Sequence, residues 1–212
     1  MSENDLTFFT NEPERNLYDR FNKILNRNTQ FFDVLVGYFR ASGFYLMEEA
    51  LDKVEKTRIL IGINTDKKIV ELYEEAQGKV EQLSLSNIET IDNYKKQLEK
   101  EFEYSEDTEK VENGVNKFVE LIKNGKLEIR VYTKQPIHAK IYIMRDFEDS
   151  PDYGRVITGS SNFSQSGLVN NLEFNVELKN SADVKFALDK FEELWKDSVE
   201  VSKDCIDTIE NK

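Results

Sequence analysis

The chain has 212 residues, 39% of them hydrophobic, with one cysteine and one histidine; that length suits one well-buried α/β core and is short for two. A lone cysteine excludes an internal disulfide, and a single histidine elsewhere in the chain counts strongly against a structural zinc site. Twenty-nine basic against 41 acidic residues give a net charge of −12, which counts against a nucleic-acid surface that works by bulk electrostatics.

The predicted elements alternate between strand and helix. Thr10-Asn-Glu-Pro13 offers a capping residue and an early proline, and Leu17, Phe21, Ile24 and Leu25 follow at helical spacing. Residues 31–39 form a near-continuous apolar run, as expected for a strand buried on both faces. A helix over 43–54 and a strand over 58–63 come next. Gly62-Ile-Asn-Thr-Asp66 then leads into a long charged, helical-looking region to about Lys123, with breaks near 83–87 and 104–107. Residues 127–132 resume the sheet, Pro136 sets up a strand from His138 to Met144, and 155–158 and 171–178 add two more. Residues 184–195 close the chain's core as an amphipathic helix carrying Phe186, Leu188, Phe191, Leu194 and Trp195, read as core side chains. This alternation predicts an α/β fold, a mixed, mostly parallel sheet flanked by helices on both faces. Such sheets bind ligands beyond the carboxyl ends of their strands. Arg40 and Asn64 stand at such ends and are candidates to line one cleft.

Two short motifs carry the chemistry. His138-Ala-Lys140 lies on the predicted strand, whose alternation sends His138, Lys140 and Tyr142 to one face and Ala139, Ile141 and Ile143 to the other. Gly159-Ser-Ser-Asn162 ends the next strand and turns toward the helical-looking 163–168. A small-residue turn entering a helix offers backbone N–H groups and hydroxyls to an anion. If the two strands are neighbours, His138, Lys140, Ser160 and Asn162 converge on one phosphate-sized site. Arg130, Lys134, Lys140 and Arg145 make the surroundings of the motif locally basic, while the acidic runs at 71–75, 100–109 and the C-terminal third read as solvated faces.

This pattern resembles the phospholipase D superfamily, whose motif is His-x-Lys, commonly an Asp some residues later, then Gly-Ser-x-Asn. The resemblance rests on His138, Lys140, Gly159, Ser160 and Asn162, and continues at Glu173, which matches the acidic residue many members carry on the following strand. Where the family often has Asp, five residues after its Lys, this chain has Arg145, with Asp146 one step on. The stretches 32–40, 58–64 and 157–164 look most like the phospholipase D-like domain found at the N-terminus of certain helicase-related proteins.

The resemblance implies a metal-independent nuclease without a cofactor. One histidine attacks phosphorus, a second protonates the leaving oxygen, Lys140 and Asn162 hold the non-bridging oxygens, and Glu173 orients an imidazole. Ser160, Arg40 and Asn64 are candidate substrate contacts. Because His138 is the only histidine, an active enzyme needs a homodimer with one His138 from each copy. The expected partners are DNA, or RNA, a second copy, and helicase domains in the same parent chain. The charged end Thr208–Lys212 suits a domain cut from a larger protein; residues 1–212 read as one phospholipase D-like domain. No stretch approaches the roughly 20 consecutive apolar residues of a membrane span, and Met1–Asp5 lacks the start of a signal peptide, so the expected location is cytoplasmic. A catalytically silent module that grips a nucleic-acid backbone or dimerises its parent is the alternative from another class, and a lipid phosphodiesterase is a weaker third.

Overall fold

A computed structural model of the chain describes residues 7–12, 16–62, 109–146 and 154–203. The strands are β1 (Phe8–Thr10), β2 (Phe31–Val36), β3 (Lys56–Gly62), β4 (Leu127–Tyr132), β5 (Lys140–Arg145), β6 (Arg155–Gly159), β7 (Phe174–Leu178) and β8 (Val199–Glu200). They form one sheet in the order β1-β7-β6-β5-β2-β3-β4-β8. The helices are α1 (Leu17–Leu25), α2 (Ala41–Lys53), α3 (Glu109–Lys123) and α4 (Ser181–Lys196), and a short π-helical turn spans Ser166–Asn170.

Alternation along each strand divides the buried residues between two layers. Phe32, Val34 and Val36 of β2, Ile59 and Ile61 of β3, and Tyr142 and Met144 of β5 face α1, α2 and α3. Leu35, Leu60, Ile143 and Val156 face α4, where they meet Val184, Phe191 and Trp195. The first layer is strongly aromatic: Phe21 meets Tyr142 edge-on at 4.9 Å between centroids, and Phe39 stacks on Phe163 at 5.7 Å. Such contacts add to the area term that drives burial.

The sheet is mixed and has helices on both faces, as the sequence predicts. Its strand directions differ from the mostly parallel arrangement expected: among the described residues β2–β3 and β3–β4 are parallel, and the other five pairings are antiparallel. The segment joining β5 to β6 is too short for a crossover helix, so the chain returns beside itself.

Local chemistry accounts for other departures. The cap of α1 is Asn16, whose Oδ1 accepts from the Asp19 N–H at 2.8 Å, while Thr10 belongs to β1. Phe186 is 71% exposed on α4 rather than in the core, because it points away from the side carrying Val184, Phe191 and Trp195. Asn64, and most of the charged region after it, lies outside the described residues.

Two buried carboxylates tie strands together. Asp33 on β2 accepts from Arg58 Nε at 2.6 Å and from Arg145 Nη2 at 3.0 Å. Glu177 on β7 accepts from Arg20 Nε at 2.6 Å and from Arg155 Nη1 at 3.0 Å. Arg145, at the position where an Asp was the common expectation, therefore serves as a cation for the neighbouring strand's acid.

Candidate active site

Two glycines set the position of the histidine. The segment Ile137-His138 crosses the carboxyl ends of β2 and β3, where a Cβ on Gly62 would stand 2.3 Å from Ile137 Cβ and one on Gly37 would stand 2.8 Å from the Ile137 carbonyl. The Gly37 N–H donates to the Ala139 carbonyl at 2.9 Å, fixing the segment just before β5 begins. The strand starts at Lys140, two residues later than the sequence suggests, and His138 sits exposed ahead of it.

Lys140 is buried, with Nζ 3.0 Å from His138 Nε2 and 3.3 Å from the His138 carbonyl. The imidazole and the ammonium are side by side, as strand alternation predicts. Burial lowers the Lys140 pKa from its ordinary value, and the charge of Glu173 works against that shift.

The β5–β6 register, Ile141 opposite Thr158, brings the start of β5 against the end of β6. Thr158 Oγ1 donates to the Lys140 carbonyl at 2.9 Å. Below the site Tyr142 is fully buried, and its hydroxyl donates to the Ser161 carbonyl at 2.7 Å. Burial, then the charge of Glu173, raises the Tyr142 pKa well above its ordinary value, so the phenol remains a donor.

Gly159 ends β6 where a Cβ would collide with the Phe174 carbonyl at 2.1 Å. The chain can therefore pass close to β7, and the Ser160 N–H donates to that carbonyl at 3.0 Å. The Ser160 hydroxyl donates to Glu173 Oε2 and accepts from the Phe174 N–H at 3.1 Å. Asn171 Nδ2 donates to Glu173 Oε1 at 3.3 Å. Asn162 Oδ1 is buried with no hydrogen-bond partner among the described residues, and the Asn162 carbonyl accepts from the Ser164 N–H at 2.9 Å. Arg40 lies exposed at the start of α2, with its guanidinium carbon 4.6 Å above the Tyr38 ring centroid and its backbone N–H on the Phe163 carbonyl at 3.0 Å.

His138 with Lys140, and Ser160 with Glu173, are thus direct pairs, and Glu173 links them through its field at Lys140 and Tyr142. Sequence reading placed Tyr142 on the face of His138 and Lys140 without giving it a role, and did not single out Tyr38, Asn171 or Ser161. The Asn171-x-Glu173 spacing was visible; the long-range Tyr142–Ser161 bond left no local sign. Geometrically, the site offers an exposed imidazole, an adjacent ammonium, a turn of small polar residues and a carboxylate held by neutral donors.

A family model described as "Cardiolipin synthase, PLD-like domain" matches residues 22–195. Comparison with curated protein sequences gives no match. Among solved structures the chain is similar to a phospholipase D family member, Nuc from Salmonella typhimurium, at 14% identity over 91% of this chain and 95% of that one, TM-score 0.51. It is also similar to phosphatidylserine synthase of Haemophilus influenzae Rd KW20, at 12% identity over 92% of this chain and 39% of that one, TM-score 0.53. Both likenesses are of fold, and among the described residues no helix is long and apolar enough to cross a membrane. With the family model spanning most of its length, the chain belongs to the phospholipase D-like domain family.

Proposed function

We propose that the protein is a metal-independent phosphodiesterase that cleaves DNA through a phosphohistidine, in a site shared by two copies of the chain. The observation that carries this reading is the pair His138 and Lys140, an exposed imidazole with an ammonium 3.0 Å from its Nε2, at a sheet end that also holds Ser160 and Glu173.

In the first step Nε2 of one His138 attacks phosphorus, and the P–O bond to one nucleoside oxygen breaks. That oxygen leaves with a proton from the imidazolium of the partner's His138. In the second step the partner's His138, now neutral, takes a proton from water as the water oxygen bonds to phosphorus. The P–N bond breaks, leaving a phosphate monoester and free His138. Lys140 and Asn162 hold the non-bridging oxygens as charge accumulates. Glu173 orients imidazole once substrate frees it from Ser160, and Arg40 grips a flanking phosphate. Asn64 belongs to the same cleft in this reading. The chain works as one domain in the cytoplasm, attached to helicase machinery.

The test is cleavage of single- and double-stranded DNA in excess EDTA, with wild type beside His138→Ala and with phospholipid vesicles as a separate substrate. Cleavage that survives EDTA and is lost in the variant is the expected result; activity confined to lipid esters would reassign the substrate. A second reading, a silent module that binds a nucleic-acid backbone or dimerises its parent, is favoured by one contact. The Lys140 Nζ stands 3.0 Å from Nε2, the atom that attack would use, so a substrate has to displace it. Retained DNA binding with no trapped phosphohistidine would select that reading.

A further inference from the structure

Asn175 is out of place by the ordinary rules of a sheet. Asparagine is a poor strand former, yet Asn175 lies inside β7, paired with Phe9 of β1 on one side and Gly159 of β6 on the other, and is only 2% exposed. Half of its amide is used. Nδ2 donates to the Ser161 hydroxyl at 3.0 Å, while Oδ1 is buried and accepts no hydrogen bond among the described residues. A buried oxygen left unpaired costs stability, so the fold alone would favour an apolar side chain here. A residue that breaks local rules in this way points to a functional demand.

The contacts of Asn175 show where that demand arises. Ser161, fully buried between Ser160 and Asn162, is gripped from the strands on either side of β6: Tyr142 of β5 donates to its carbonyl at 2.7 Å, and Asn175 of β7 donates to its hydroxyl. Gly159 makes room for the second grip, since a Cβ there would lie 2.6 Å from Asn175 Oδ1. We propose that Asn175 is a positioning residue: through Ser161 it sets the turn so that Ser160 and Asn162 meet the oxygens of a phosphate ester as charge builds on them. The inference rests on the reading above in taking this turn as the anion holder, and adds a group that acts without touching the substrate. Two anchors on one buried residue fix its rotation as well as its position, which one bond would leave free. Donors preset in this way favour five-coordinate phosphorus over the ground state.

The experiment compares wild type, Asn175→Val, Ser161→Ala and the double variant. It reads the thermal midpoint, the affinity for vanadate, a mimic of five-coordinate phosphorus, by titration calorimetry, and DNA cleavage in EDTA. Valine is a strong strand former with no acceptor to leave unpaired, so Asn175→Val should keep or raise the midpoint; Asn175→Ala stands in should it fail to fold. Vanadate should bind about tenfold more weakly, and kcat should fall by about tenfold to a hundredfold with KM nearly unchanged. Ser161→Ala should match these losses, and the double variant should be no worse than either single one. Vanadate affinity that stays at the wild-type value in Asn175→Val overturns the proposal. Losses that add in the double variant, or that follow a falling midpoint, overturn it too, because they make Asn175 a packing residue. A wild type that binds no vanadate overturns it together with the anion site. Weakened vanadate binding in a protein that never cleaves DNA supports the positioning role and places the failure with the nuclease reading.

Discussion

Asp33 and Glu173 are both carboxylates at the sheet, but their partners differ in kind. Asp33, in the middle of the sheet, is held between the guanidinium groups of Arg58 and Arg145, and Glu177 is likewise held by Arg20 and Arg155. Glu173, at the sheet end, is held by a hydroxyl and an amide, which leave its charge uncompensated. That charge reaches Lys140 and Tyr142 instead. The contrast separates acids that fasten strands from one whose field acts on neighbouring groups, although all three are hydrogen-bonded.

Substitutions can break or sharpen this contrast. The largest effect is expected outside both acids: His138→Ala should lower DNA cleavage by about a thousandfold or more with an unchanged thermal midpoint. Asp33→Ala should act oppositely. It leaves Arg145 without its carboxylate and Arg58 with Glu192 alone, and should cost about 3–5 kcal/mol of stability, read by urea unfolding, while activity per folded molecule is largely kept.

Glu173→Gln is the decisive intermediate case. A cleavage rate lower by about tenfold to a hundredfold is expected, together with a moved pH profile. Burial lowers the Lys140 pKa and Glu173 opposes that shift, so removing the carboxylate charge lowers it further. Activity that needs the ammonium should therefore fail at a lower pH in Glu173→Gln than in wild type. An alkaline limb that stays in place would put Glu173 with Asp33 among the fastening acids. Tyr142→Phe removes one buried donor to the Ser161 carbonyl and should cost about 1–3 kcal/mol of stability, with the rate falling more than substrate affinity as the turn loosens. Arg40→Ala should have the smallest effect, a severalfold rise in KM with little change in kcat, as expected for loss of an exposed phosphate contact.

Much of the molecule was legible where meaning is local. The apolar run 31–39 gave β2, 127–132 gave β4, and alternation from His138 correctly separated Lys140 and Tyr142 from Ile141 and Ile143. Strand direction was not legible, because alternation encodes which side is buried and not which way a neighbour runs. β1 was missed since three residues beside an Asn-Glu-Pro sequence carry too little pattern. Phe186 was misplaced because hydrophobicity alone does not reveal the angle at which α4 turns it outward. The His138–Lys140 proximity follows from two-residue spacing, whereas the bond from Tyr142 to Ser161 and the ties of Asp33 depend on pairings that no short window contains.

The two glycines beneath Ile137 and His138 make placement of the imidazole a matter of tolerance rather than affinity. Nothing in Gly37 or Gly62 can donate, accept or ionise through a side chain, yet a single added carbon at Gly62 would press on Ile137 from 2.3 Å. An ångström of sideways travel in a reacting group can cost about a hundredfold in rate. A methyl group, the least chemically eventful substituent in the protein alphabet, would therefore displace His138 by acting as a shim.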